Sequence, residues 1–524
     1  MILLEIKING YSLDDEQMKI VLDDSKHLLV TAGAGSGKTF TILGKIYYLI
    51  HYQNISPSEI LCISFTRSSA NSLKEKIKKE FHVEMPVYTF HKLSLEILKE
   101  SKESYEIADS DTLENIIHEF FIHTILDYPK YMKLVLYYFK KRKNGNVKDK
   151  YFHFYEQEGK QIQLLERLLS TFLHLMKCNH YDISSFIPFL KQARKTFSYK
   201  TYQKEKIFLM LAFNIYLIYQ DYLEKNHEID FDDMITYATN HVNQYGIKSS
   251  YQYVIIDEYQ DTSFVRFHLV QAILNQTHAN LMVVGDDFQS IYRFTGCDLS
   301  LFLNFKEYFP DANILKIENT YRNSQELIKV AGDFVMKNKK QIKKDLRSSK
   351  HLDFPIFLVY YQDVKSKFIE LIETIYQETQ KPILILGRNN KDIYFVVSKD
   401  FKLMDNGDII YHNNPNIQLK FLTVHKSKGL EEENVIIINL KDDLLGFPNQ
   451  IKDDKVLRFV SNHFEKYPYS EERRLFYVAL TRTKNRVYLL VPYQNQSVFV
   501  EELKKEYSKL IRVKLDRQNS NNTI

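Results

Sequence analysis

HLLVTAGAGSGKTFTILGKIYYLI, His27 to Ile50, decides the fold. HLLVT is short, apolar and β-branched, AGAGSGKT is a glycine-rich turn, and the remainder repeats apolar residues at the spacing of one helix face. A strand that runs through a glycine-rich turn into a helix is the setting a phosphate-binding loop requires. Gly33, Gly35 and Gly37 let backbone N–H groups turn inward toward an anion, Lys38 reaches the β/γ-phosphates, and Thr39 holds Mg²⁺. Ala32 occupies the first glycine position of the strict pattern, and the loop Ala32-Gly33-Ala34-Gly35-Ser36-Gly37 is expected to cradle the phosphates of ATP.

A magnesium nucleotide site also needs a carboxylate at the end of a neighbouring strand. YVIIDEYQDT, Tyr253 to Thr262, supplies Asp257 for the metal, and Glu258 beside it is placed to orient and deprotonate an attacking water. Paired acids at a strand end also cap helices, but together with the loop they point to hydrolysis rather than binding alone. Further short apolar runs read as buried parallel strands: ILCISF (60–65), LMVVGD (281–286), ILILGR (383–388), VIIINL (435–440) and VYLLV (487–491). Between them, roughly from Lys92 to Asp230, the pattern is long and helical, as in QIQLLERLLSTFLHLM (161–176).

The 524 residues exceed one ordinary core and suggest about three to four structural units. Lys+Arg 71 against Asp+Glu 66 gives +5, which permits an anionic partner without requiring one. Two local runs, YYFKKRKNGNVKDKYF (137–152) and KNKKQIKKDLR (337–347), concentrate cations. The three cysteines, Cys62, Cys178 and Cys297, form no CxxC pair, so a disulfide framework is not expected. No signal sequence or membrane-spanning run is evident, and a cytoplasmic protein is expected. IDFDDMI, with Asp230, Asp232 and Asp233, reads as a helix start with interdomain polar contacts.

The ordered set AGAGSGKT, ISFTRSSA (63–70), TFH (89–91), DEYQDT, GDDFQSIYRFTG (285–296), NTYRNS (319–324), LTVHKSKGLE (422–431) and EERRLFYVALTRTK (471–484) resembles the UvrD/Rep superfamily 1 DNA helicases over nearly the whole chain. The wording GDDFQSIYRFTG, the nearby NTYR and FVEELKK are most similar to the helicase IV branch, without its additional N-terminal region. The resemblance implies an α/β fold with two RecA-like parallel-sheet domains, a helical insertion in the first, and little or no 2B subdomain in the second. Expected boundaries are 1–92 with 230–305 for the first domain, 93–229 for the insertion, 306–504 for the second domain with a minimal insertion at 389–416, and 505–524 for a polar tail.

The same resemblance implies roles. Arg322 and Arg482 match the positions that contact the γ-phosphate, and Gln289 matches another. Gln17 matches an adenine-reading glutamine, Tyr321 stacks on adenine, Phe40 lies beside the base, and Glu431 lies near the ribose. Tyr292 and Phe294 press on bases of single-stranded DNA, with Phe65, Thr89, His91, Asn390 and His425 as further DNA contacts and Arg388 close by. Phe294 stands where UvrD and Rep relatives carry tryptophan. Gln289 and the two aromatics share one short segment, so loss of a phosphate at one end would alter the grip on DNA at the other.

The function implied is an ATP-dependent DNA helicase moving 3′ to 5′ on single-stranded DNA, in repair, recombination or related DNA processing, on single-stranded and tailed duplex DNA. The alternative is an ATP-switched DNA-binding subunit serving a nuclease, repair or defence partner without processive unwinding.

Overall fold

The computed structural model describes residues 6–101, 105–140, 146–196, 198–461, 465 and 467–514. Two large sheets organise it. In the first, six parallel strands lie in the order Asn313–Ile317, His27–Ala32, Asn280–Gly285, Tyr253–Ile256, Ile60–Ser64, Val87–Thr89. These strands are apolar because both faces are covered. Leu29, Leu61, Val254, Ile256 and Val283 face one core, while Val30, Cys62, Ile255, Met282 and Val284 face the other. The last strand to join, Asn313–Ile317, lies beyond the expected boundary at 305. It pairs in register with His27–Ala32, so the chain completes the first sheet before it enters the second.

The second sheet has eight strands in the order Phe401–Leu403, Asp408–Tyr411, Leu419–Thr423, Ile383–Gly387, Glu432–Ile437, Thr483–Pro492, Ile356–Tyr361, Ile511–Lys514. All neighbours are parallel except the first two pairings. The stretch 389–416 is therefore no separate subdomain: a 3-10 turn at Asn390–Phe395 leads into a hairpin that extends the edge of the sheet. The polar tail expected from 505 begins later. Ile511–Lys514 adds a parallel strand beside Ile356–Val359, with Ile511 buried against the core of this domain; residues 515–524 lie outside the described residues.

Between the strands Val87–Thr89 and Tyr253–Ile256 stand the helices Thr112–Ile122, Pro129–Tyr138, Val147–Cys178, Phe186–Arg194 and Tyr199–Asn226 around their own apolar core. The aromatics of the run 137–152 belong largely to that core: Tyr138 and Tyr151 are buried, and the Tyr151 hydroxyl donates to the Phe121 carbonyl at 2.7 Å. Its cationic centre, 141–145, lies outside the described residues. The second domain grips this unit through the 3-10 turn Lys455–Phe459. Val456, Leu457 and Phe459 join its core, and Arg458 forks onto the buried Glu205 at 2.6 and 2.8 Å. Among the described residues no helix is long and apolar enough to cross a membrane.

Candidate functional site

In an open parallel sheet, the loops that leave the carboxyl ends of the strands form the natural ligand crevice. Ala32, Ser64, Thr89, Ile256 and Gly285 end five strands of the first sheet. The residues that follow them are the phosphate loop, Phe65, His91, Asp257–Glu258 and Asp286–Gln289. The second sheet contributes from both ends: Glu431 and Arg482 precede strands, whereas Arg388 and His425 follow them. One sheet edge can thus serve two ligands against opposite ends of its partner.

The glycines set the backbone of the loop Ala32–Gly37. Gly35 and Gly37 take φ of +72° and +80°, a region that penalises any side chain, and the helix Lys38–His51 starts with its free N–H groups at Gly37. A Cβ on Gly35 would lie 2.5 Å from Arg322 Cβ, and one on Gly37 would lie 2.8 Å from Gln17 Nε2, 3.7 Å from Phe40 Cβ and 4.0 Å from the Tyr321 ring. Gln17, Phe40 and Tyr321 therefore converge at the mouth of the loop, where Gln17 donates to the Ser36 carbonyl at 3.3 Å. Tyr321 is 50% exposed, with its hydroxyl on Asp14. The buried Ser36 hydroxyl has no hydrogen-bond partner among the described residues, an acceptor-seeking group left inside the loop.

Lys38 Nζ lies 2.9 Å from Glu258 Oε1. Burial would lower the lysine, but Glu258, Asp286 and Asp257 outweigh it and raise it. Burial would likewise raise the Glu258 carboxyl, but Lys38 and Lys428 hold it well below the carboxylate range. Asp257 moves the other way, pushed up by burial and by the Glu258 charge. Glu258 also has φ of +53°, a costly conformation for a non-glycine residue that clusters at active sites. Arg482, 1% exposed, donates from Nη2 to Gln289 Oε1 at 3.4 Å and from Nη1 to the Leu430 carbonyl at 3.1 Å. Arg322 Nε is held by Glu431 Oε2 at 2.5 Å, so Glu431, expected beside the ribose, is here the partner of an arginine.

The expected DNA residues divide into two groups. Tyr292, Phe294, Arg388, Asn390 and His425 line one groove. Tyr292 stacks on Phe65, which is itself not among the residues lining the groove, with centroids 5.7 Å apart and planes 16° apart, and its hydroxyl donates to the His425 carbonyl at 2.9 Å. Phe294, 55% exposed, sits edge-on to His425 at 5.5 Å. These rings form one aromatic platform on the wall of the groove. Arg388 contributes little free charge, because Glu472 takes it at 2.7 Å. Thr89 and His91 are not among the residues lining the groove: the Thr89 hydroxyl caps the helix Phe90–Leu98, and His91 packs edge-on against Phe231 at 5.2 Å.

Two lysines were missed by reading the sequence. Lys428, within LTVHKSKGLE, binds Asp261, donates to the Gln289 carbonyl at 2.8 Å, lies 3.7 Å from Glu258 Oε2 and stands 5.1 Å over the Tyr292 ring. It touches the acid of one site and the platform of the other. Lys344, from the basic run 337–347, is 0% exposed and lies between Asp286 at 2.5 Å and Asp287 at 2.6 Å, fixing the segment that carries Gln289. Neither could be assigned from spacing, since both pairings join residues more than fifty positions apart.

The profile of the UvrD/REP helicase N-terminal domain matches residues 13–310, and that of the UvrD-like helicase C-terminal domain matches residues 399–494. DNA helicase IV of Escherichia coli (strain K12) is 28% identical over 508 residues, covering 95% of this chain and 71% of that protein. The probable DNA helicase II homolog of Mycoplasma capricolum is 29% identical over 72% of this chain and 49% of its own length. The ATP-dependent DNA helicase PcrA of Staphylococcus aureus (strain Mu50) is 29% identical over 64% of this chain and 41% of its own length. The chain thus spans half or less of these last two relatives. With a glycine loop beside an acid pair joined by one segment to an aromatic groove, and a family profile over most of the first domain and the helical unit, the chain belongs to the UvrD/REP family of ATP-dependent DNA helicases.

Proposed function

We propose that the chain hydrolyses ATP in the cleft and uses the change at the γ-phosphate to step 3′ to 5′ along single-stranded DNA lying in the aromatic groove. The observation that carries this reading is the continuity of residues 283–296: Gln289 meets Arg482 in the cleft, and Tyr292 and Phe294, three and five positions on, face the groove. Lys344 below and Lys428 beside it hold this segment at both ends, so a shift at Gln289 moves the platform.

In the cleft, Lys38 would leave Glu258 for the β/γ-phosphates, which frees Glu258 as an ionised base for the attacking water. Arg322 and Arg482 would offset charge building on the transferred phosphoryl oxygens. A Mg²⁺ ion fits the hard oxygen donors Thr39 and Asp257, and when bound it neutralises phosphate charge. Gln17, Phe40 and Tyr321 border the place for the base, and the Arg322–Glu431 pair would open when Arg322 turns to phosphate. In the groove, ring stacking grips every base alike, at roughly 1–3 kcal/mol per base, which suits a motor that must pass any sequence. Polarity rests on the family resemblance and is tested by unwinding 3′-tailed and 5′-tailed duplexes with ATP. Strand separation only on the 3′ tail supports the reading; separation only on the 5′ tail overturns the polarity, and binding without separation favours the ATP-switched binding subunit.

A further inference from the structure

The three acids of IDFDDMI face two ways. Asp230 caps the helix Phe231–Tyr245 and, with Asp233, takes Lys177. Asp232 turns instead toward the end of the long helix Val147–Cys178, where His174 and Cys178, one turn apart, share a face. His174 Nδ1 lies 3.2 Å from Asp232 Oδ2, Cys178 Sγ lies 3.5 Å from the same oxygen, and Nδ1 and Sγ are 3.9 Å apart. A tetrahedral zinc ion with ordinary bond lengths holds nitrogen and oxygen about 3.4 Å apart and places each about 3.6 Å from sulfur. The nitrogen–oxygen and oxygen–sulfur separations lie within about 0.2 Å of those edges, whereas Cys178 Sγ is nearer His174 Nε2, at 3.6 Å, than Nδ1, so the ring shows its face to the sulfur and would turn about its Cβ–Cγ bond to aim Nδ1 at the ion. The donor set, one imidazole, one thiol and one carboxylate, is one that zinc takes and magnesium avoids.

We propose that His174, Cys178 and Asp232 bind a zinc-class divalent cation, with water completing the tetrahedron. The ion would enter past His174, whose side chain is 44% exposed, while Cys178 is buried. On binding, Cys178 gives its proton to solvent and ligates as thiolate. The place matters for the motor. Cys178 Sγ lies 3.6 Å from the Thr295 carbonyl oxygen, and a Cβ on Gly296 would lie 2.3 Å from Cys178 Cβ, so the cation would join the helical unit and the first domain directly beneath the turn that presents Phe294.

The test uses the full chain freed of metal with a chelator and titrated with Co²⁺. One equivalent should produce the sulfur-to-cobalt charge-transfer band and tetrahedral visible bands, and Zn²⁺ should abolish both. Cys178→Ser should lose the charge-transfer band, and His174→Gln, a change at a half-exposed position that the fold tolerates, should lose the tetrahedral pattern. In parallel, Zn²⁺ should raise the Tm of the wild type and of neither variant, with ATPase in the absence of DNA unchanged in both. Absence of the band, a band that survives Cys178→Ser, or a Tm indifferent to Zn²⁺ would show that the three side chains are only a hydrogen-bonded cluster.

Discussion

Replacing Lys428 by methionine removes one cation from beneath both ligand sites. Its Nζ is shared by Asp261, which is 1% exposed at the side chain, by Glu258 and by the Gln289 carbonyl. Removing one partner of a buried ion pair costs about 3–5 kcal/mol, because the remaining charge has lost its compensation. The Asp261 carboxyl, already pushed up to about 6 by burial despite Lys428, would stay protonated near neutral pH. Holding it neutral against an unfolded value of 3.8 limits the loss to roughly 4 kcal/mol. Lys428→Met should therefore lower stability by about 3–4 kcal/mol in urea unfolding, and adding Asp261→Asn, which removes the stranded acid, should recover most of it. Function should part from stability. The double variant should bind ATP, since Lys38, Gln17 and the phosphate loop are intact, yet lose most of the acceleration of ATPase by single-stranded DNA, because the strut from Glu258 to the Tyr292 platform is gone. A double variant with wild-type DNA stimulation would refute the coupling role; a double variant no more stable than Lys428→Met would refute the electrostatic account.

Lys38→Ala should abolish ATP binding or turnover, whereas Glu258→Gln should keep ATP and DNA bound while turnover falls by at least about a hundredfold, measured by filter binding and phosphate release. Phe294→Ala should weaken single-stranded DNA by about 1–3 kcal/mol in fluorescence anisotropy and leave Tm near wild type, because the ring is exposed. The His91 and His425 rings are held down to about 4, by burial first and then by Arg266 and Arg388 respectively. A folded value below the unfolded 6.5 gives stability that is present above 6.5 and drains away as pH falls toward 4. Tm should therefore drop between about pH 6.5 and pH 4, and His91→Gln should make that drop shallower.

Much of the candidate nucleotide site was legible because its information is local. Strand, glycine turn and helix lie within His27 to Ile50, and the acid pair ends a strand that reads as one from its own residues. The side chains around Gly37 were assignable only through resemblance, since Gln17, Phe40 and Tyr321 meet in space from three distant segments. Charge runs misled most. The basic run 337–347 reads by composition as a solvated face, yet Lys344 lies sealed between two aspartates and Lys337 pairs with Glu502 and Glu506. Most aromatics of 137–152 fill the helical core, whereas Phe152 is exposed. In both runs composition carried no record of which partner the fold would supply. The closing IRVK, set among polar residues, pairs only because the edge of the second sheet lies open beside it.

In the proposed function the cleft and the groove answer to one rigid segment, Val283 to Gly296. Single-stranded DNA affinity, measured by anisotropy at fixed salt for the protein without nucleotide, with a non-hydrolysable ATP analogue and with ADP, tests this most directly. The ATP-like and ADP states should differ by about tenfold or more, which is about 1.4 kcal/mol carried along the segment, and Gln289→Ala should bring the two affinities together. Equal affinities in all three states of the wild type would contradict it.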